Sequence, residues 1–178
     1  MTALIFLLKT VFYSVATLFL LRFFMQAFCV SFINPLGNFV LKITAWAVIP
    51  ARKIIPSFFK LDIASFLLAL LTVAIYKAIE FALLGTTVVQ WLPFLAVFSL
   101  WVVFAFIGLI VQLFIFAILI FAIASWLAPF HPMMPALSQF TRPLLLPIRR
   151  IIPPIAGVDL SPVIALILLE AILIFLRT

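Results

Sequence analysis

Four long apolar stretches dominate the chain, and most polar residues lie in the segments between them. The stretches cover residues 4–33, 63–84, 94–127 and 162–176. A helix needs about 20 apolar residues to cross a hydrocarbon core of about 30 Å. Only a helix satisfies its own backbone within lipid, and these stretches lack the polar–apolar alternation of membrane strands. The pattern therefore predicts an all-α membrane protein with four transmembrane helices.

The connections that follow the first and the third stretch are both basic. Residues 34–60 hold four Lys or Arg and residues 130–158 hold three, and neither segment has an acidic residue. The other four bases are balanced by the four acidic residues, so these two connections account for the whole net charge of +7. By the positive-inside rule both connections are cytoplasmic, which predicts that both chain termini lie outside the cytoplasm.

The two basic connections also repeat one another. A shift of 97 residues superimposes the pattern Thr-x5-Pro-x-Arg-[Lys/Arg]-Ile-Ile-Pro-x5-Asp without a gap, from Thr44 to Asp62 and from Thr141 to Asp159. Because each copy carries two apolar stretches, both copies have the same membrane orientation. We therefore predict two parallel two-helix repeats, each with a Pro-rich basic interfacial segment. They comprise residues 1–84 and 94–178.

Each pattern places adjacent bases between two prolines. In Pro-Ile-Arg-Arg-Ile-Ile-Pro at 147–153, the isoleucines share one face of a short amphipathic helix that would lie in the membrane interface. We expect it to be short, because Pro147 suits its first turn and Pro153 limits its extension. Pro143 removes a backbone donor, so residues 137–147 should not form one regular helix. Three roles are open to these bases. They could serve only to fix the membrane topology, they could bind lipid headgroups or an acidic partner, or they could pair with Asp62 or Asp159. The candidate binding residues are Arg52, Lys53, Arg142, Arg149 and Arg150.

The aspartate that closes each pattern is a candidate helix cap. Asp62 precedes the second apolar stretch, and Asp159 or Ser161 precedes the fourth. Short polar side chains at these positions accept hydrogen bonds from the first backbone donors of a helix. A salt bridge from Asp159 to an arginine of either pattern is an alternative role, and it is compatible with capping.

Two charges are predicted to lie inside the bilayer. At about 1.5 Å per residue, counted from Asn34 and Asp159, Arg22 and Glu170 both fall near the middle of the core. A lone charge there costs at least about 2.5 kcal/mol. We therefore expect a structural Arg22–Glu170 ion pair, with Gln26 one turn below Arg22 completing the site. A proton or ion relay through the same residues is the alternative.

Composition excludes several classes of function. With 69% hydrophobic residues and a mean hydropathy of +1.51, the chain is too apolar for a soluble enzyme or a directly nucleic-acid-binding protein. One cysteine, one histidine and four scattered glycines suggest no disulfide, metal site or phosphate-binding loop. No catalytic residue, metal or cofactor is therefore predicted.

The repeated pattern, together with Asp-Leu-Ser-Pro at residues 159–162, resembles the YggT family of small bacterial membrane proteins. The second copy matches best, because the first has Ala45 and Trp46 where the second has Arg142 and Pro143. The resemblance implies a location in the bacterial inner (plasma) membrane. It also implies links to osmotic-stress tolerance, to cell or plastid division and nucleoid placement, and to cytochrome maturation in plant relatives.

Such varied links favour an organising or assembly factor over an enzyme. The leading hypothesis is a non-enzymatic membrane scaffold whose basic motifs engage anionic lipid or an acidic partner. That partner could be another membrane protein or a second copy of this chain. The alternative is a small ion or solute transporter, or a channel component, that uses Arg22, Gln26 and Glu170.

Overall fold

The chain is helical throughout the parts that the structure, a computed structural model, describes. These are residues 2–55, 61–83, 91–152 and 159–177, without the side chains of 91–94 and 177. They form six α-helices and no β-strand, which confirms the all-α prediction for this part of the chain. The helices are α1 (Thr2–Ala27), α2 (Pro35–Ile54), α3 (Ile63–Leu83), α4 (Trp91–Leu127), α5 (Met134–Ile151) and α6 (Ser161–Arg177).

Three of these helices, α1, α3 and α4, are long and apolar enough to cross a membrane. Helix α6 is also apolar, but its 17 residues make it shorter than the other three. At about 1.5 Å per residue it extends about 25 Å, somewhat less than a core of about 30 Å. A membrane crossing by α6, and with it the four-span arrangement, therefore stays a prediction.

The first apolar stretch is not one helix, so the single span predicted over residues 4–33 is too long. Helix α1 ends at Ala27, where the N–H of Val30 donates to the carbonyl oxygen of Met25 at 2.8 Å. This bond belongs to a Schellman motif, which requires one residue in the left-handed conformation. Cys29 supplies it with a φ of 55°. The remaining apolar residues of the stretch therefore form a turn.

Helix α2 begins directly after that turn. The side chain of Asn34 caps the helix by accepting a hydrogen bond from the N–H of Gly37 at 2.7 Å, and Pro35 occupies the first helical position. Glycine is needed at position 37 because a Cβ there would lie 2.6 Å from the Cα of Phe32. This close approach holds the start of α2 against the chain that leaves α1.

Each basic connection contains an amphipathic helix that is longer than predicted. Helix α2 has 20 residues and α5 has 18. Helix α5 continues through Pro143 and Pro147, so the predicted interruption of residues 137–147 is wrong. Both prolines lie on its exposed face, and the residues whose carbonyls lose their donors, Gln139 and Pro143, are half-buried and exposed. Pro56 and Pro153, which end the two motifs, lie outside the described residues.

The four apolar helices pack in pairs, α1 with α3 and α4 with α6. The amphipathic helix of each half lies against its own pair, and α4 contacts both α1 and α3. Aromatic rings fill this contact between the halves. The ring centroids of Phe24 and Phe114 are 4.9 Å apart, and those of Phe66 and Phe106 are 5.2 Å apart. The two halves therefore share one hydrophobic cluster, and a second cluster lies within the second half.

Candidate functional site

A buried polar cluster joins the three helices of the first half. Arg22 of α1 and Asp62 before α3 are 5% and 1% exposed, and Arg22 Nε donates to Asp62 Oδ2 at 3.2 Å. Arg22 Nη1 also donates to the hydroxyl of Thr44 in α2 at 2.7 Å. From the last turn of α2, Arg52 donates to both oxygens of Asp62, at 2.7 and 3.2 Å, and to Gln26 Oε1 at 3.2 Å. We call this cluster the first brace.

Asp62 also accepts hydrogen bonds from the first turn of α3. The Ser65 N–H donates to Oδ1 at 3.4 Å and the Ser65 hydroxyl donates to Oδ2 at 2.6 Å. Burial alone would raise the pKa of Asp62. The hydrogen bonds from Arg52 and Ser65, with the charges of Arg52 and Arg22, outweigh burial and lower the pKa below its ordinary value. The carboxylate is therefore charged at neutral pH, and each of its oxygens accepts at least two hydrogen bonds.

The carboxylate that holds Arg22 is thus Asp62, and the predicted Arg22–Glu170 pair is wrong. The depth estimate assumed an unbroken helix to residue 33, whereas α1 ends at Ala27, little more than one turn beyond Arg22. Arg22 therefore lies near the end of the bundle where α3 begins. Glu170 lies on the exposed face of α6, and it forms no ion pair with any described residue.

The second half contains the same contact in a more open form, the second brace. Arg149 forms an ion pair with Asp159, and its Nε donates to the hydroxyl of Ser161 at 3.2 Å. Asp159 Oδ1 accepts from the Ser161 N–H at 2.9 Å at the start of α6. The Arg149 and Asp159 side chains are 43% and 33% exposed. Leu119 stands where the repeat would place an equivalent of Arg22, so one arginine holds this aspartate.

The pKa of Asp159 is lowered for the same physical reasons as the pKa of Asp62. Burial would raise the pKa of Asp159, but the two hydrogen bonds from Ser161 and the adjacent Arg149 lower it below its ordinary value. Sequence reasoning leaves internal pairing open as one role of the motif arginines, and the structure forms such pairs in both halves. It missed Thr44 and Ser65, although the Thr that opens both motifs was visible as a repeated polar position.

The remaining bases of α2 and α5 have a different environment. They are exposed and form no ion pair with any described residue: Lys42, Lys53, Arg142 and Arg150. Large apolar side chains are exposed on the same helices, among them Trp46 at 73% and Ile151 at 80%. Three of the five predicted binding residues, Lys53, Arg142 and Arg150, therefore belong to this unpaired group.

The two amphipathic helices lie at the same end of the bundle. Gln139 of α5 donates from Nε2 to the carbonyl oxygens of Cys29 at 2.9 Å and Phe28 at 3.3 Å, in the turn that follows α1. The braces at the starts of α3 and α6 belong to this end as well. Within the described residues, no three His, Cys, Asp or Glu side chains come together in a group that could hold a metal ion.

The fold and the paired braces define an all-helical protein, with helices that are long and apolar enough to cross a membrane, in which one sequence unit occurs twice. The chain belongs to the CCB3/YggT family, because the model of that family matches residues 1–81 and again residues 100–178. It is thus a family member with two repeats.

Relatives match along nearly the whole chain. The uncharacterized protein YggT of Escherichia coli is 36% identical over 97% of this chain and 88% of its own length. The uncharacterized protein PA0392 of Pseudomonas aeruginosa is 35% identical over 96% of this chain and 86% of its own length. A Vibrio alginolyticus protein from the proC 3′ region is 33% identical, with 96% and 91% covered. No solved structure matches the chain.

Proposed function

We propose that this protein is a non-enzymatic membrane scaffold whose amphipathic helices, α2 and α5, bind anionic lipid headgroups at the cytoplasmic face. The observation that carries the proposal is that the two bases of each Arg-[Lys/Arg] pair make different contacts. Arg52 and Arg149 are held by aspartates, whereas the residues that follow them, Lys53 and Arg150, are exposed and unpaired among the described residues. One base of each pair is thus structural and the other is available.

The chemistry around the available bases suits a lipid surface. Each Lys or Arg near an anionic leaflet contributes about 1 kcal/mol of attraction. Lys42, Lys53, Arg142 and Arg150 together supply enough charge to enrich such lipids around this end of the bundle. The exposed Trp46 suits the headgroup boundary, where amphipathic aromatic rings are enriched. Apolar side chains beside the bases favour lipid over an acidic protein surface as the partner.

The test separates the available bases from the structural ones. We expect Arg142→Ala with Arg150→Ala to keep the thermal stability of the wild type but to show a weaker preference than the wild type for phosphatidylglycerol over phosphatidylcholine, measured by lipid titration in neutral detergent. Arg142→Lys with Arg150→Lys is the matched control, because it keeps both charges and should keep the preference. Arg149→Ala should instead lower stability, because it leaves Asp159 without its partner.

A cellular measurement relates lipid binding to function. The family resemblance points to osmotic-stress tolerance and division, so growth at high osmolarity and cell shape are suitable measurements in a strain without its own relative of this chain. The double alanine variant should insert normally but fail to complement. Unchanged lipid preference together with unchanged complementation would contradict the proposal. Lost complementation with unchanged lipid preference would assign the bases to an acidic partner.

The transport alternative depended on three residues acting together. The structure places Arg22 and Gln26 in the first brace and Glu170 on the exposed face of α6. No contact among the described residues joins Glu170 to the other two, so no specific observation favours a shared conduction path.

A further inference from the structure

A cavity of about 880 Å³ lies between the two halves, at the end of the bundle opposite α2 and α5. All four apolar helices contribute to the wall of the cavity. Lys9 and Tyr13 come from α1, Lys77 from α3 and Leu173 from α6, and α4 contributes a long face. Its volume lies within the range of sites that bind small molecules and cofactors. None of these residues takes part in the two braces.

The shape of the cavity suits a chain-like occupant. Its lining follows α4 from Val97 to Gln112, which is about 22 Å at 1.5 Å per residue. That length exceeds half the thickness of a hydrocarbon core, about 15 Å. Along this wall Leu100 and Trp101 are 55% and 56% exposed, so the cavity opens on the outer surface of the bundle. An acyl chain could therefore enter it from the surrounding lipid.

Among the side chains that the structure describes at the cavity, one positive charge is left uncompensated. Lys77 Nζ pairs with Glu80 Oε2 at 2.6 Å. Lys9 lies over the ring of Tyr13, with Nζ 5.6 Å from the centroid, and no carboxylate of the described residues pairs with it. Lys9 is exposed near the end of α1 that lies opposite the braces, and a cation at a membrane surface attracts anionic lipid headgroups. A monoanion beside Lys9 would neutralise the cluster, and a phosphodiester carries that charge.

We propose that this cavity binds one anionic phospholipid from the leaflet opposite α2 and α5. The phosphodiester lies beside Lys9 and Lys77, and one acyl chain lies along α4. Elongation, the opening toward lipid and the single excess charge each point to this occupant. The site is separate from the proposed lipid contacts of α2 and α5, which lie at the other end of the bundle.

Gly108 provides a way to fill the cavity without touching its charges. A Cβ at this position would be in ordinary contact with Leu173, at 3.8 Å. Gly108→Ala should therefore fit, whereas Gly108→Phe should occupy the space of the acyl chain. Lys9→Gln removes the unpaired charge and leaves the apolar wall intact. The two kinds of variant test the chain and the headgroup separately.

The experiment uses the full chain carrying Lys42→Ala, Lys53→Ala, Arg142→Ala and Arg150→Ala, which removes the available bases of α2 and α5. Delipidated protein in neutral detergent is titrated with phosphatidylglycerol, phosphatidylcholine or inorganic phosphate, and bound lipid is counted by native mass spectrometry. We expect one phosphatidylglycerol per chain, which excess inorganic phosphate does not displace. Lys9→Gln and Gly108→Phe should each weaken binding about tenfold or more, and Gly108→Ala by less than about twofold.

Three results would overturn the proposal: wild-type affinity in Lys9→Gln, equal binding of phosphatidylcholine, or displacement of the lipid by free phosphate. If Gly108→Phe does not fold, Lys9→Gln still decides, because it changes no packing on α4. The four substitutions in α2 and α5 are present in every sample, so this result does not depend on whether either helix binds lipid.

Discussion

Arg22 and Asp62 form an ion pair, Nε to Oδ2 at 3.2 Å, between side chains that are 6% and 1% exposed. Such buried pairs contribute little net stability compared with apolar residues, but removal of one partner leaves an uncompensated buried charge. Arg22, in α1, and Arg52, in α2, share the aspartate that starts α3. Asp62 is therefore the residue on which the geometry of the first half depends.

The two braces should differ in the effect of losing their aspartate. Asp62→Ala leaves Arg22 buried without its partner, which costs about 3–5 kcal/mol. Asp159→Ala removes a cap and a partly exposed pair, which costs about 1 kcal/mol. For a chain of this size we expect Tm in detergent to fall by about 6–20 °C for the first variant and about 2–4 °C for the second. An equal fall in Tm for the two variants would show that the burial of the ion pair does not determine how much stability is lost.

The first brace should also make stability depend on acid pH. The pKa of Asp62 in the folded protein is below its ordinary value, so its contribution is complete above the unfolded-state pKa of about 4 and is lost as the pH falls through the lower folded pKa. Asp62→Asn cannot titrate and serves as the reference. The Tm difference between wild type and Asp62→Asn should be constant from about pH 7 to 5 and narrow below about pH 4. A constant difference at pH 3 would contradict this assignment.

The sequence predicted those helices that have polar boundaries. The second and fourth apolar stretches, 63–84 and 162–176, differ by at most one residue at either end from Ile63–Leu83 and Ser161–Arg177. Both helices start just after an aspartate of the repeated motif, where capping and the change in hydropathy coincide. Local chemistry was sufficient there, because the same residues end the connection and begin the helix.

The end of α1 had no such signal. The residues after Ala27 are as apolar as those before it, and the left-handed residue of the Schellman motif is Cys29 rather than glycine. Because the end of α1 at Ala27 was not predicted, Arg22 was expected near the middle of the bilayer, at the depth of Glu170. The ion pair with Asp62 depends on how α1 and α3 pack, which no local pattern encodes. Proline likewise predicted a break in α5 that its exposed position makes unnecessary.

Substitution by alanine should lower the stability of the protein at Gly37 and raise it at Gly108. Gly37→Ala places a methyl group 2.6 Å from the backbone of Phe32, so a shift of α2 or of the turn is required, at a cost of about 1–3 kcal/mol. Gly108→Ala meets only the side chain of Leu173, at 3.8 Å, and gains up to about 1 kcal/mol of helix propensity. Thermal unfolding monitored by tryptophan fluorescence would compare them. A Gly37→Ala protein as stable as the wild type would contradict the close approach.

The charge distribution predicts that the C-terminus lies outside the cytoplasm. Helices α2 and α5 carry six bases at one end of the bundle, whereas the described charges at the other end are the neutral pair Lys77–Glu80 and the single base Lys9. With that basic end in the cytoplasm, α6 must cross the bilayer to place Thr178 outside. Its 17 residues are at the lower limit for a span, and local thinning of the bilayer can accommodate the difference.

Reporter fusions test this orientation and the crossing by α6 together. Alkaline phosphatase fused after Thr178 should be active and green fluorescent protein at the same site dark, because the first requires the outer side and the second the cytoplasm. Fusions after Pro129, between α4 and α5, are the matched control and should give the reverse. If Thr178 fusions fluoresce while Pro129 fusions also fluoresce, α6 does not cross. If both sites report the outside, α6 does not cross and the α5 end lies outside the cytoplasm, so the lipid contacts proposed for α2 and α5 would be in the opposite leaflet.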